Sequence, residues 1–261
     1  MPLNILAIHA HPDDLEILAG GTLAHLAALG HRLTIVTLSP GDCGTHEYPA
    51  EEIAAIRRAE AAASARHIGA GYRCLEFRDL AIFSDDPSRR RVTEILRQVR
   101  PDVIITASPV DYMPDHETAS ELVRDACFGA PIPNYATGAP NPAPHLDAIP
   151  HLYFTDPVTL TDREGRRIVP DFFVDVTATF EMKKTMLAEH ASQRNWLLKH
   201  HGVDDYMVQM ENWTRANGAT VGVALAEGFR RYKGHPYPQT PLLEEALGTL
   251  VLAAGRQQNF V

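Results

Sequence analysis

The chain has 261 residues, 45% of them hydrophobic and 22% charged, and its 24 basic and 33 acidic side chains leave a net charge of −9. That length supports one large domain or two small ones with a sizeable core. The acidic balance argues against general binding to nucleic acid or to an anionic membrane, which need a positive surface, no apolar run is long enough to span a bilayer, and the N-terminus lacks the pattern of a secretion signal. Cys43, Cys74 and Cys127 are widely spaced and odd in number, which fits reduced, buried thiols in a cytoplasmic protein better than a disulfide framework.

Taken in chain order, apolar β-rich runs alternate with helical patterns. Leu3–Ile8 predicts a first strand. Thr22–Leu29 predicts a helix that stops at Gly30. Leu33–Leu38 is a second strand, 50–68 a long helix ending at Gly69, and Cys74–Phe77 a third strand. Ser88–Val99 carries Val92, Ile95, Leu96 and Val99 at helical spacing and ends before Pro101, and Val103–Ala107 is a fourth strand. Three of these strands are near-continuous apolar runs, as expected where both faces of a sheet are covered. The alternation implies an α/β fold: a Rossmann-like, doubly wound, mostly parallel sheet flanked by helices.

Residues 131–150 hold six of the 19 prolines and read as a long loop insertion rather than a domain linker. Strand-like runs resume at His151–Phe154 and Phe172–Val176. Helical patterns over Phe180–His190, Asp204–Arg215 and Thr220–Phe229 then predict a mostly helical C-terminal part, 180–261. The expectation is a single domain over 1–261.

The first strand runs directly into His11-Pro12-Asp13-Asp14. Ligands of an open parallel sheet bind beyond the carboxyl ends of its strands, where the strand order reverses, and this turn lies there. An aspartate at a strand–helix turn commonly caps the helix, and a lone histidine among 13 carries little information. Two adjacent carboxylates beside a core strand nevertheless repel each other and favour a cation. His11 and Asp14, three apart, can converge on one metal, with Asp13 between them facing water as general base. Gly20-Gly21 would allow a close backbone approach to a substrate or to the sheet. The acidic turn argues against the pyrophosphate site of a dinucleotide fold.

After the fourth strand, "SPVDYMPDHETAS" leads into a helix beginning near Glu117, which places His116 at a strand's carboxyl end. In a 3-2-1-4 strand order the first and fourth strands are neighbours, so His116 falls in the crevice of His11 and Asp14. Two histidines and a carboxylate with an open position form a catalytic zinc pattern, and Fe2+ uses the same ligand types. Asp115 fits either a partner orienting a histidine or a helix cap.

"AHPDDLEILAGGTLA" and "PDH" at a helix start, with "RRAEAAASARHIGA", "HASQ" (190–193) and "AEGF" (226–229) as weaker echoes, resemble the PIG-L/LmbE family of zinc-dependent de-N-acetylases. The resemblance implies zinc held by His11, Asp14 and His116, Asp13 as general base, and Arg57 and Asp79 on the sugar. It also implies a small amino-sugar or glycoconjugate substrate and a homo-oligomer, trimer or hexamer. One departure stands out: the family's histidine three positions before the last ligand is Met113 here, and methionine neither donates nor shuttles a proton. Asp111, Tyr112, His46 and His190 are the candidate replacements. Glu16, one place later than the family's usual glutamate, reads as structural. The expected activity is metal-assisted removal of an N-acyl group. The rivals are cleavage of a different C–N or glycosidic bond, or metal-dependent binding without turnover.

Overall fold

A computed structural model describes residues 1–201 and 205–254. The first half alternates as expected: β1 (Asn4–His9), α1 (Asp14–Ala28), β2 (Arg32–Thr37), α2 (Ala50–His67), β3 (Gly71–Cys74), α3 (Asp86–Val99), β4 (Val103–Thr106), α4 (Pro114–Gly129) and β5 (His151–Thr155). The second half adds β6 (Phe172–Asp175), α5 (Phe180–Ala188), α6 (Ala191–His201), α7 (Asp205–Val221), β7 (Ala226–Arg231), α8 (Leu242–Leu247) and β8 (Val251–Ala253). All eight strands form one sheet in the order β3-β2-β1-β4-β5-β7-β6-β8. The β3-to-β5 half is parallel throughout, and the β7-β6-β8 flank is antiparallel. The chain winds outward from β1 to β3, then returns to β4 on the other side of β1. That reversal opens a crevice at the carboxyl ends of β1 and β4.

Alternate residues of β1 feed two cores, one on each face of the sheet. Ile5 and Ala7 pack with Leu15, Leu23 and Leu26 of α1, Met186 and Leu187 of α5, and Met210 of α7. Leu6 and Ile8 pack with Ile95 and Leu96 of α3 and Leu122 and Val123 of α4. This period-two division is what a strand covered on both sides requires.

Three expectations shift. The first helix begins at Asp14, eight residues before the predicted start, and most of its length is buried, so it shows no polar stripe from which to read a period. β3 lies at Gly71–Cys74 rather than Cys74–Phe77. Thr220–Phe229 is not a helix: α7 ends at Val221, and β7 enters the sheet between β5 and β6. The charged Glu227 in "LAEGF" hid that inner strand. Residues 131–150 contain no helix or strand, as expected, and are pinned by buried Leu146 and by Thr137, whose hydroxyl donates to Glu94.

Glu227 also explains the Gly20-Gly21 pair. Its carboxylate accepts from the backbone N–H of Gly21 and Thr22 and pairs with Lys183 Nζ at 2.6 Å. A Cβ at Gly21 would lie 2.6 Å from Val176 Cβ, and one at Gly20 would lie 3.2 Å from Lys183 Cγ. The glycines therefore let α1 approach the sheet and α5, not a substrate. Both partners of this ion pair are almost wholly buried, so removing the lysine leaves an uncompensated carboxylate. Lys183→Met is expected to lower stability by about 3–5 kcal/mol, measured as a reduced urea midpoint with unchanged slope.

Candidate active site

β1 ends at His9, and the next four residues turn the chain into α1. Asp13 occupies the N-cap position with φ 93° and ψ −29°, a left-handed conformation that is strained for a residue with a Cβ, and its side chain makes no capping bond. The capping explanation for Asp13 therefore fails. Asp14, at the first position of α1, folds its carboxylate back over the turn and accepts the His11 backbone N–H at Oδ2 (2.8 Å).

His11, Asp14 and His116 come together as the topology requires. His11 Nδ1 lies 3.5 Å from Asp14 Oδ2, and His116 Nε2 lies 3.3 Å from Asp14 Oδ1. The His11 and His116 ring centres are 5.4 Å apart. Four-coordinate zinc with bonds of about 2.0–2.1 Å separates neighbouring ligand atoms by roughly 3.3 Å, which the His116–Asp14 Oδ1 spacing matches; His11 approaches the carboxylate on its other oxygen.

His9 is an unexpected fourth member. By proximity alone three sets of potential ligand atoms lie within 4.8 Å of one another: His9, Asp14 and His116; His11, Asp79 and Asp115; and Asp42, Cys43 and Asp79. The individual distances argue for a different division. His9 Nδ1 is 2.6 Å from Asp14 Oδ2, the length of a charge-assisted hydrogen bond and too short for two ligands of one cation. An ionised carboxylate only accepts, so His9 donates. The outer nitrogens of the other two rings also lie beside carboxylates, His11 Nε2 in a hydrogen bond with Asp115 and His116 Nδ1 close to Asp111 without hydrogen-bond geometry. His11 Nε2 is 3.2 Å from Asp79 Oδ1 and 3.3 Å from Asp115 Oδ2, and His116 Nδ1 is 3.1 Å from Asp111 Oδ1. Each candidate ligand thus has a polar partner behind it, by hydrogen bond for His11 and Asp14 and by proximity to Asp111 for His116, an arrangement common around metal ligands. The donor set fits zinc or Fe2+.

Asp115, expected as a histidine partner or a helix cap, is a histidine partner; its Oδ2 also accepts from Leu80 N–H at 2.7 Å. Asp111 is completely buried and accepts from Val158 N–H at its other oxygen. Asp79 sits on His11, not in an open pocket. Arg57 is 4% exposed and donates to the Pro12 and Gly41 carbonyls, with Nη2 3.4 Å from Asp13 Oδ2. Glu16 is structural: Ser64 Oγ donates to it at 2.6 Å, and His190 lies at 3.3 Å. Of the four candidates to replace the absent histidine, His190 is buried against Glu16 and Asp111 is committed to His116. The His46 ring is tilted against Trp196, with ring centres 5.6 Å apart, and Tyr112 alone stands both exposed and edge-on to His116, at 5.7 Å. A signal for His9 was present in the sequence, because residues i and i+2 of a strand share a face. Tyr206, whose hydroxyl donates to Asp13 Oδ2 at 2.7 Å, lies 193 positions away and gave none.

Five buried carboxylates (Asp13, Asp14, Asp79, Asp111 and Asp115) crowd this crevice. Burial opposes charge on the imidazoles, but Asp115, Asp14 and Asp79 outweigh it and raise His11 well above its usual range. Burial likewise disfavours charge on His116, yet Asp14 and Asp111 lift it to about 9. Burial would raise Asp14, but His116 and His9 hold it well below the usual carboxylate range. Burial raises Asp13, opposed mainly by Arg57 and reinforced by Asp14. A groove of about 580 Å³ opens alongside, lined in part by Asp42, Arg58, Phe77 and Arg78, and Asp42 accepts the Asp79 N–H at 2.8 Å.

Residues 6–127 match the family model described as PIG-L, GlcNAc-PI de-N-acetylase. Over this span the chain is similar to the PIG-L family. It is 27% identical over 200 residues to a 4-oxalmesaconate hydratase of Pseudomonas putida, covering 74% of each protein. It is also 27% identical over 198 residues to a diacetylchitobiose deacetylase of Thermococcus kodakarensis, covering 73% of this chain and 70% of the relative. Its fold matches the solved N,N'-diacetylchitobiose deacetylase of Pyrococcus horikoshii at a TM-score of 0.75 and 27% identity, over 91% of this chain and 88% of that one. The mixed α/β architecture, a central sheet flanked by helices, is therefore that of this solved deacetylase. Among the described residues, no helix is long and apolar enough to cross a membrane.

The charge surplus generates a prediction. Without a cation the carboxylates hold a proton on His116 up to about pH 9, and a metal must displace it. Apparent zinc affinity should therefore rise as pH increases from about 6 to about 9. Titration calorimetry in buffers of different ionisation enthalpy should show net proton release near neutral pH. Affinity independent of pH, with no release, would place the cation elsewhere.

Proposed function

We propose that this protein is a divalent-metal-dependent hydrolase, zinc being the first candidate, that removes an N-acetyl or other N-acyl group from an amino sugar or glycoconjugate. The observation that carries this reading is the joint geometry of His11, Asp14 and His116, each with a polar partner behind it, with the Asp13 carboxylate beside them. A cation held there supplies Lewis acidity to water and to an acyl carbonyl. Asp13 accepts the proton as water oxygen bonds to the carbonyl carbon, and its proton then passes to the nitrogen as the C–N bond breaks. Tyr112, beside His116, supplies the neutral O–H donor to the carbonyl oxygen that Met113 cannot. Arg57 and Asp79 act on the sugar indirectly, by holding Asp13, the 11–14 turn and His11. The polar groove next to Asp42 suits the remainder of a hydroxyl-rich substrate. The two deacetylase relatives support the same reaction class.

The hydratase relative, together with Met113, favours a second reading: addition of water to a carbon–carbon double bond of an unsaturated carboxylate. The same base and cation site serve it, but no protonated leaving amine is needed. The proposal also places the protein in the cytoplasm, with its three thiols free, Cys127 buried as expected but Cys74 half-buried and Cys43 exposed, and as a homo-oligomer, for which light scattering is the test.

The deciding experiment supplies zinc-loaded protein with N-acetylglucosamine, diacetylchitobiose and bulkier N-acyl sugars, and measures acyl release. It also monitors loss of conjugated absorbance with unsaturated dicarboxylates. Acyl release supports the amide reading, and loss of absorbance alone supports the hydratase reading. Asp13→Asn should retain metal and lose roughly 100- to 10,000-fold in turnover, whereas Asp14→Ala should lose the metal. Full activity in Asp13→Asn would sink the general-base assignment.

A further inference from the structure

We propose that Tyr206 is a positioning residue that fixes which oxygen of Asp13 meets the reacting water. The inference rests on the amide-hydrolase reading. Asp13 has its backbone fixed in a left-handed turn, so the direction of its Cβ is set and rotation of the carboxylate is the freedom left to it. Tyr206, on the first turn of α7, is 8% exposed and places its hydroxyl 2.7 Å from Oδ2. Arg57 Nη2 reaches the same oxygen at 3.4 Å, a longer contact because that nitrogen donates mainly to the Pro12 carbonyl at 2.9 Å. No protein group donates to Oδ1 among the described residues. Both donors therefore act on one oxygen, with the shorter and better-formed bond coming from Tyr206.

A tyrosine in this apolar cluster could serve by packing alone, since its ring contacts the same core as Leu15 and Met210. Packing does not require its proton to be directed at a carboxylate. With Oδ2 occupied by a neutral phenol, Oδ1 is the atom left to take the proton from water. Removing the phenol hydroxyl frees the carboxylate to rotate, and small misplacements of a catalytic group cost about 100-fold. The contact also joins α7, in the C-terminal half, to the 11–14 turn.

The test compares wild type, Tyr206→Phe, Asp13→Asn and the double variant, all zinc-loaded. Tyr206→Phe keeps the ring, so metal content and KM should stay within about twofold while kcat falls about 10- to 100-fold. Added to Asp13→Asn, the same change should cost no further activity, because its target no longer acts as a base. An equal loss in both backgrounds would show a structural role and overturn the proposal, as would unchanged kcat in Tyr206→Phe. Urea midpoints of the four proteins give a readout that needs no substrate. Tyr206→Phe should shift the midpoint by different amounts in the wild-type and Asp13→Asn backgrounds, and equal shifts would overturn the contact itself. A wild type that releases no acyl group, with unequal urea shifts, would overturn the hydrolase reading and the water-facing role of Oδ1, leaving the contact standing.

Discussion

The site depends on the two oxygens of Asp14 having different partners. Oδ2 is held by the His9 ring and the His11 backbone N–H, while Oδ1 faces His116. A carboxylate fixed through one oxygen presents the other in a single direction, which a metal ligand at a buried turn needs. The same division recurs around it. His11 is held from behind by Asp115 and flanked by Asp79, His116 is flanked by Asp111, and Asp13 is held by Tyr206. The orienting groups come from β1, from the loops after β3 and β4, from α4 and from α7, so the constellation is rigid only when the whole fold is formed.

The crowding of carboxylates follows from the same arrangement. Each imidazole needs an acceptor behind it, and aspartate is short enough to serve at a strand end. The result is more negative charge than Arg57 and the imidazoles balance at neutral protonation, and a cation relieves it. Protons on His11 and His116 do so in its absence. The strain at Asp13, and the like strain at Leu80, whose φ is 61° and whose N–H supports Asp115, lies where it shapes this cluster. Residues in such conformations persist when their surroundings over-determine them. Here Arg57 bonds the carbonyl of Pro12 within the turn and that of Gly41 in the loop after β2.

Much of this was legible in the sequence because it is local or topological. Alternating apolar runs announced βαβ winding, and the winding placed the ends of β1 and β4 together. The trio His11, Asp14 and His116 followed from two short motifs and that one rule. What escaped were contacts between segments with no shared pattern. His9 looked like a strand residue, Tyr206 like a core aromatic of α7, and Arg57 and Asp79 like substrate contacts, although folding turns both toward the protein's own groups. Glu227 misled twice, disguising β7 as helix and hiding the reason for Gly20-Gly21, because a buried charge can be explained only once its partner Lys183 is found.

The sequence alone determined the parallel half of the sheet, the crevice and the residue types gathered at it, since strand and helix periods and the reversal of strand order are written in residue spacing. Tertiary structure alone decided which atoms of those residues face one another, and that the His9 ring lies against Asp14 Oδ2. Spacing carries direction only over a few residues. An orientation set by a hydrogen bond from a helix nearly 200 positions away exists only after the chain has packed.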